Sequence, residues 1–180
     1  NLGFINVLGV DPAKEIANEA TESGIPTLNN YMNKSTANRI NDQYGKASII
    51  TANNVYAHVD DLIGMTNGIK SLLSKDGIFV FEVSYLLDVI QKNLIGTIFH
   101  EHLCYHSVKV MKQFLKTQGM ELIHVERGPE QGGSFVGYAQ FKGGHRKIND
   151  SDNTLIGLEK ESAEPRLEEE ESEEVTEFLE

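Results

Sequence analysis

Apolar and polar positions alternate along this 180-residue chain in blocks that predict strand and helix by turns. Leu2–Val10 is an apolar run ending at Asp11, the pattern of a parallel strand buried on both faces. Asp11-Pro12 predicts a helix start, with Asp11 as cap and Pro12 at the first position. That helix is expected to run to about Ser23, with Gly24 as its stop. Ile25–Leu28 reads as a short strand, and Ser35 caps a helix that Gly45 ends. Ala47–Ala52 reads as another buried strand. Val59–Ser74 has helical apolar spacing at Leu62, Ile63, Ile69, Leu72 and Leu73. Gly77 leads into Ile78–Val83, the strongest strand pattern of the chain. Tyr85–Gln91 reads as helix, and Ser107 caps a helix over Val108–Gln118 that Gly119 closes. Met120–Val125 and Ser134–Phe141 are two final strands joined by the turn-rich Gly128–Gly133.

Strand alternates with helix until these last two strands, which are free to pair antiparallel. The expected architecture is therefore α/β, a mostly parallel, helix-flanked sheet with right-handed crossovers and an antiparallel end. Residues 143–153 form a polar linker. Thr154–Glu180 is Glu-rich and thin in apolar residues, which predicts a solvated helix or tail. The chain opens on Asn1 with a strand-like run under way, so it is expected to begin inside a fold.

Charge sharpens this division. Residues 1–149 hold 14 Lys+Arg and 14 Asp+Glu, whereas residues 150–180 hold 2 and 13. The net charge of −11 thus belongs to the last segment, and the balanced body carries no basic stripe of the kind that nucleic-acid binding needs. Cys104 is the single cysteine, which excludes an internal disulfide framework and a four-cysteine zinc site. No apolar run approaches the roughly 18 residues of a membrane span. A reducing, cytoplasmic setting is expected.

The densest chemistry lies in Thr97-Ile-Phe-His-Glu-His-Leu-Cys-Tyr-His106. Burying so many titratable groups unpaired is costly, so such a cluster points to a working site. One imidazole acting as general base is one reading, with Glu101 orienting it or serving as a second acid/base. A metal site is another, because His102 and His106 stand four apart with Cys104 between. The metalloprotease pattern H-E-x-x-H fails, since Cys104 occupies its second His position. A polar surface loop is the third. Asp11, at a strand's carboxyl end, is placed to bind a ribose or simply to cap a helix. Asn53 and Asn54 suit either ligand contacts or turn geometry. His58 precedes a helix start. No G-x-G-x-x-G occurs, so a nucleotide-type fold would have its first strand and glycine loop before residue 1.

Five motifs fall in one order: Leu8-Gly-Val-Asp-Pro12, Ala52-Asn-Asn-Val-Tyr-Ala-His-Val59, Phe79-Val-Phe-Glu-Val83, Phe99-His-Glu-His102 and Gly132-Gly-Ser134. Over about residues 1–145 the chain resembles the S-adenosylmethionine-dependent sugar C-methyltransferases, which methylate carbon 3 of nucleotide-linked 4-keto-deoxysugars. The resemblance implies a class I, Rossmann-like methyltransferase fold lacking its first strand. It implies a partial methyltransferase domain over 1–145, with 146–180 as an acidic linker or helix leading to a truncated C-terminal domain. S-adenosylmethionine would be the cofactor, with zinc expected only in a missing N-terminal domain. Asp11 matches the acid that holds the cofactor ribose, and Asn53 and Asn54 lie where the cofactor's methionine portion would be. His102 matches the base that removes the C-3 proton, with Glu101 and His58 lining the same sugar site. Phe99 stands where the family commonly has Tyr, and the paired cysteines of the family's zinc site are absent. The partners implied are the nucleotide-linked sugar and the protein's own missing N- and C-terminal domains, with no nucleic acid and no membrane.

Two competing expectations remain open at this point. One is a metal-dependent hydrolase using His100, His102 and His106. The other is a non-catalytic methyltransferase-like module whose acidic tail docks a basic partner.

Overall fold

The computed structural model of the chain describes residues 6–162. The chain divides into two compact units, Asn1–Ser48 with Asp61–Ser74, and Ile49–Asp60 with Lys75–Glu180.

The first unit holds a two-stranded parallel pair, β1 (Gly9–Asp11) and β2 (Thr27–Asn29), in the register Gly9↔Thr27, Val10↔Leu28 and Asp11↔Asn29. Helix α1 (Lys14–Glu22) connects them and packs on both, as a parallel crossover requires. The expected strand from Leu2 is shorter: residues 6–8 are not strand, and residues 2–5 lie outside the described residues. Asp11 is not the cap of α1 but the last residue of β1. Its Oδ1 accepts the Ala13 N–H at 2.8 Å, and that local turn delays the helix to Lys14. Helices α2 (Lys34–Tyr44) and α3 (Leu62–Leu72) pack together and bury Ala37, Ile40, Met65 and Ile69. The cap of α2 is Asn33, whose side chain accepts the Thr36 N–H at 3.0 Å; Ser35 falls inside the first turn.

The second unit is built on a four-stranded sheet in the order β3-β4-β6-β5, with β3 (Ala47–Asn53), β4 (Leu73–Ser84), β5 (Met120–Gly128) and β6 (Ser134–Phe141). The last strand inserts between β4 and β5 and is antiparallel to both. The antiparallel end is thus as predicted. Ala47–Ala52 does form a strand, but an edge one with Ile49 55% exposed. Its apolar run alone does not distinguish edge from centre.

Aromatic rings make the core of this unit. Tyr56 stands 5.6 Å from Phe79 and 5.8 Å from Phe81, and Phe135 lies 6.0 Å from Phe81 and 5.5 Å from Tyr85. All five rings are fully buried. Each contributes about 1.5–3 kcal/mol of burial. Gly137 makes room for them, because a Cβ there would lie 2.3 Å from Phe81 Cζ.

Helix α4 (Leu86–Gln91) follows β4, and α5 (Val108–Thr117) packs on β5 through Val108, Met111 and Leu115, all buried at helical spacing. Ser107 caps α5 as predicted, accepting the Val110 N–H. The polar stretch beyond β6 ends in a sixth helix, α6 (Ser151–Glu161), which packs on β5 and α5. Of the Glu-rich segment from Thr154, residues 163–180 lie outside the described residues; the part that is described belongs to α6, which is anchored by specific bonds. Glu159 accepts the Val108 N–H at 2.7 Å and so adds a second cap to α5. Ser151 Oγ accepts the Val125 N–H at 2.9 Å. Asp152, 2% exposed, is paired with Lys112 Nζ at 2.5 Å.

Candidate functional site

Two loops of the second unit meet beyond the carboxyl ends of β3 and β4. The first leaves β3 through Asn53, which is exposed, and Asn54, which adopts the left-handed conformation at φ 53°. Asn tolerates that region better than other non-glycine residues. The Asn54 N–H donates to the Glu82 carbonyl at 2.8 Å, so the turn is held to β4. A single 3-10 turn, Tyr56–His58, follows. Because Tyr56 is locked in the aromatic core, His58 emerges beside it at a fixed place.

The second loop carries the histidine cluster. It runs from a 3-10 turn at Ile95–Thr97 to His106, which bridges to Tyr85. The N–H groups of Leu103 and Cys104 both donate to the Ala57 carbonyl, at 2.9 and 3.3 Å. The loops are sewn together by main chain, which is less yielding than side-chain contact.

This stitching divides the cluster three ways. His100 and Glu101 point outward, with side chains 90% and 64% exposed and 3.9 Å apart. His106 points inward and is 4% exposed, its Nε2 lying 3.4 Å from Cys104 Sγ. Burial pushes the His106 imidazole below its ordinary value and the Cys104 thiol above its own. Both shifts favour the neutral forms, the opposite of what activates a thiolate.

His102 takes the remaining direction and meets His58, with ring centroids 4.8 Å apart. His58 Nδ1 lies 2.7 Å from the Glu101 carbonyl, and His102 Nδ1 lies 2.8 Å from the Thr97 carbonyl. A carbonyl only accepts, so each Nδ1 carries the proton and donates it. In the neutral rings each Nε2 then keeps a free lone pair. The pair therefore presents two proton-accepting nitrogens, on an exposed His58 and a half-buried His102. Phe99 flanks His102 at 4.3 Å between centroids, and Tyr105 meets it edge-on at 5.9 Å.

The sequence-derived candidates are thus partly gathered. His58, His102 and the Glu101 backbone form one constellation, with Asn53 and Asn54 at the root of the same loop. The Glu101 carboxylate points away, and its backbone carbonyl is what touches His58. His100, His102 and His106 are dispersed. Among the described residues no three His, Cys, Asp or Glu stand close enough to hold a metal ion.

Asp11 belongs to the first unit. It is half-buried at the carboxyl end of β1, and its backbone carbonyl accepts from Asn30 N and Asn29 Nδ2 at 3.1 Å each. Oδ1 is used by Ala13, and Oδ2 accepts no hydrogen bond from the described residues. Oδ2 of this half-buried residue is thus open to a further donor at the strand end.

Sequence reasoning missed the most buried charge among the described residues. Asp88 on α4 is 0% exposed and receives Arg127 Nε at 2.9 Å, Arg127 Nη2 at 2.7 Å and Lys92 Nζ at 2.6 Å. Burial pushes its carboxyl up, but the hydrogen bonds from Arg127 and Lys92 outweigh it and hold the group below its ordinary value. No local pattern links position 88 to 127. Gly132-Gly133 offered a partial signal. It is the expected turn before the last strand, and Gly133 is there because a Cβ would lie 2.3 Å from Asp88 Cβ. A cavity of ≈ 280 Å³ lies on the same sheet, lined by Glu82, Glu126, Arg127, Gly128, Glu130 and Val136, and includes neither paired imidazole.

A helix-flanked sheet with reactive loops at its strand ends defines a class of α/β enzymes rather than one member. The family model described as "Methyltransferase domain" matches residues 1–125, and the chain belongs to that family. It is 32% identical over 133 residues to the C-methyltransferase NovU of Streptomyces niveus, an alignment covering 74% of this chain and 32% of that protein. The chain thus spans about a third of the curated relative that it matches. Among solved structures, a SAM-dependent methyltransferase from Anabaena variabilis is similar at a TM-score of 0.61 and 14% identity, over 78% of this chain and 70% of that one. The magnesium protoporphyrin IX methyltransferase ChlM from Synechocystis, with bound SAH, is similar at 0.54 and 15%, over 74% and 63%. These neighbours show the class I methyltransferase fold. Among the described residues no helix is long and apolar enough to cross a membrane.

Proposed function

We propose that this chain is part of an S-adenosylmethionine-dependent C-methyltransferase acting on carbon 3 of a nucleotide-linked 4-keto-deoxysugar. The observation that carries the reading is the His58–His102 pair, with both Nδ1–H groups bound to carbonyls and both Nε2 atoms left to accept. Similarity to NovU supports carbon as the methyl acceptor.

S-adenosylmethionine supplies an electrophilic methyl group on sulfonium. Asp11 binds the cofactor ribose through its open carboxylate oxygen, and Asn53 and Asn54 contact the methionine portion. His102 Nε2 removes the C-3 proton, which is acidic because the adjacent ketone accepts the electron pair. Such a positioned base contributes typically 10²–10⁴ in rate. His58, once protonated at Nε2, donates to the 4-keto oxygen as negative charge develops there. C-3 would then accept the methyl group that the bound cofactor supplies, with the bonding pair left on its sulfur. Glu101 serves through its backbone carbonyl, which holds His58, while its carboxylate points outward. The Thr97 and Glu101 carbonyls keep both rings in the base-competent tautomer. The domain division into 1–145 and an acidic segment from 146, with further domains beyond, and a cytoplasmic setting belong to this proposal.

The test is methyl transfer from labelled S-adenosylmethionine to a nucleotide 4-keto-deoxysugar by the intact protein. His102→Asn should nearly abolish transfer and solvent deuterium exchange at C-3, while S-adenosylhomocysteine affinity stays within a few-fold. Asp11→Ala should weaken that affinity first. Near-normal transfer by His102→Asn would overturn the base assignment.

A further inference from the structure

We infer that Tyr105 is a positioning residue that tempers the carbonyl on which His102 rests. The inference builds on the proposed role of His102. Tyr105 Oη donates to the Thr97 carbonyl at 3.0 Å, and His102 Nδ1 donates to the same oxygen at 2.8 Å. The Tyr105 ring also meets the His102 ring edge-on, with an interplanar angle of 88°. The Thr97 hydroxyl is tied back to the Leu94 carbonyl at 2.7 Å, so the turn presenting this oxygen is itself fixed.

One carbonyl oxygen has two lone pairs and takes two donors. Two donors on one acceptor compete, since each withdraws electron density that the other would use. When His102 takes up a proton, its Nδ1–H becomes a charge-assisted donor and draws harder on that oxygen. The Tyr105 O–H is already there and weakens the gain. The phenol therefore disfavours the imidazolium and keeps the Nε2 lone pair available. His58 has no such second donor at its acceptor: among the described residues, the Glu101 carbonyl takes the His58 Nδ1–H alone. The two rings of one pair thus rest on differently loaded carbonyls, the Thr97 oxygen taking two donors and the Glu101 oxygen one.

Tyr105→Phe tests this with the ring retained. In the intact protein the acid limb of the kcat/KM–pH profile should move up by about 0.2–0.5 pH unit. That corresponds to a change of roughly 10–30% in one charge-assisted hydrogen bond. Activity at pH 6 should fall about two- to threefold, with little change at pH 8 and none in S-adenosylhomocysteine affinity. A second readout needs no turnover. In long-range proton–nitrogen spectra, the His102 Nδ1 signal should shift toward a stronger hydrogen bond, and the His58 signal should not move. An unmoved Nδ1 signal would overturn the inference, as would a His102 ring that switches to the Nε2–H tautomer. If the native protein transfers no methyl group, the proposed function fails, and the spectra still decide the role of Tyr105.

Discussion

Replacing Arg127 with methionine should destabilise the unit that contains it by about 2–4 kcal/mol. The side chain touches Asp88 through two hydrogen bonds, at 2.9 and 2.7 Å, and Asp88 is 0% exposed. Removing one partner of a buried charge costs about 3–5 kcal/mol, because the remaining charge loses both water and its counterion. Lys92 stays within 2.6 Å of Oδ1, so part of that cost is spared, while Oδ2 loses its Arg127 donor. For a chain of this size the loss corresponds to a fall in Tm of roughly 5–15 °C. The chain has no tryptophan, so urea unfolding is best followed by far-UV circular dichroism. The pH dependence gives a second check. The Asp88 carboxyl is held below its ordinary value in the folded state. Its contribution is therefore present above the unfolded value of about 4 and lost as pH falls through the lowered folded one. In Arg127→Met that loss should shrink. Asp88→Leu combined with Arg127→Met should recover most of the stability, since neither charge is then stranded. A cost below about 0.5 kcal/mol for Arg127→Met would refute the reasoning.

Gly133→Ala should lower stability by about 1–3 kcal/mol, because its methyl group falls 2.3 Å from Asp88 Cβ; an unchanged urea midpoint would show that the turn yields freely. Lys112→Met leaves Asp152 buried without its cation, at a cost of about 3–5 kcal/mol, and amide exchange along α6 should accelerate more than elsewhere. His106 is held below its ordinary value by burial. The unfolded chain therefore binds that proton more readily, and stability should be full above about pH 6.5 and decline below it. His106→Gln should flatten this slope between pH 7 and 5.

Local chemistry made much of this protein legible from its sequence. The period of apolar residues set the order of strands and helices, and Ser107, Gly119 and the paired turn glycines marked boundaries that the structure keeps. The order of five short motifs pointed to the methyltransferase family that residues 1–125 match. These signals act over a few residues, so they survive in one dimension. Asn33 taking the cap from Ser35, and Asp11 ending a strand instead of opening a helix, show where equivalent local options compete.

Tertiary structure alone decided which imidazoles meet. Three histidines within seven residues looked like one cluster, yet main-chain bonds to Ala57 send His100 to solvent, His106 to the interior and His102 to His58. The partner that matters is 44 positions away in sequence, and its selection depends on carbonyl directions that no residue pattern encodes. The same holds for Asp88 and Arg127, and for Asp152 at the start of α6, which is buried against Lys112. Whether a charge is exposed or buried depends on what the rest of the chain brings against it, and that information exists only once the chain has folded.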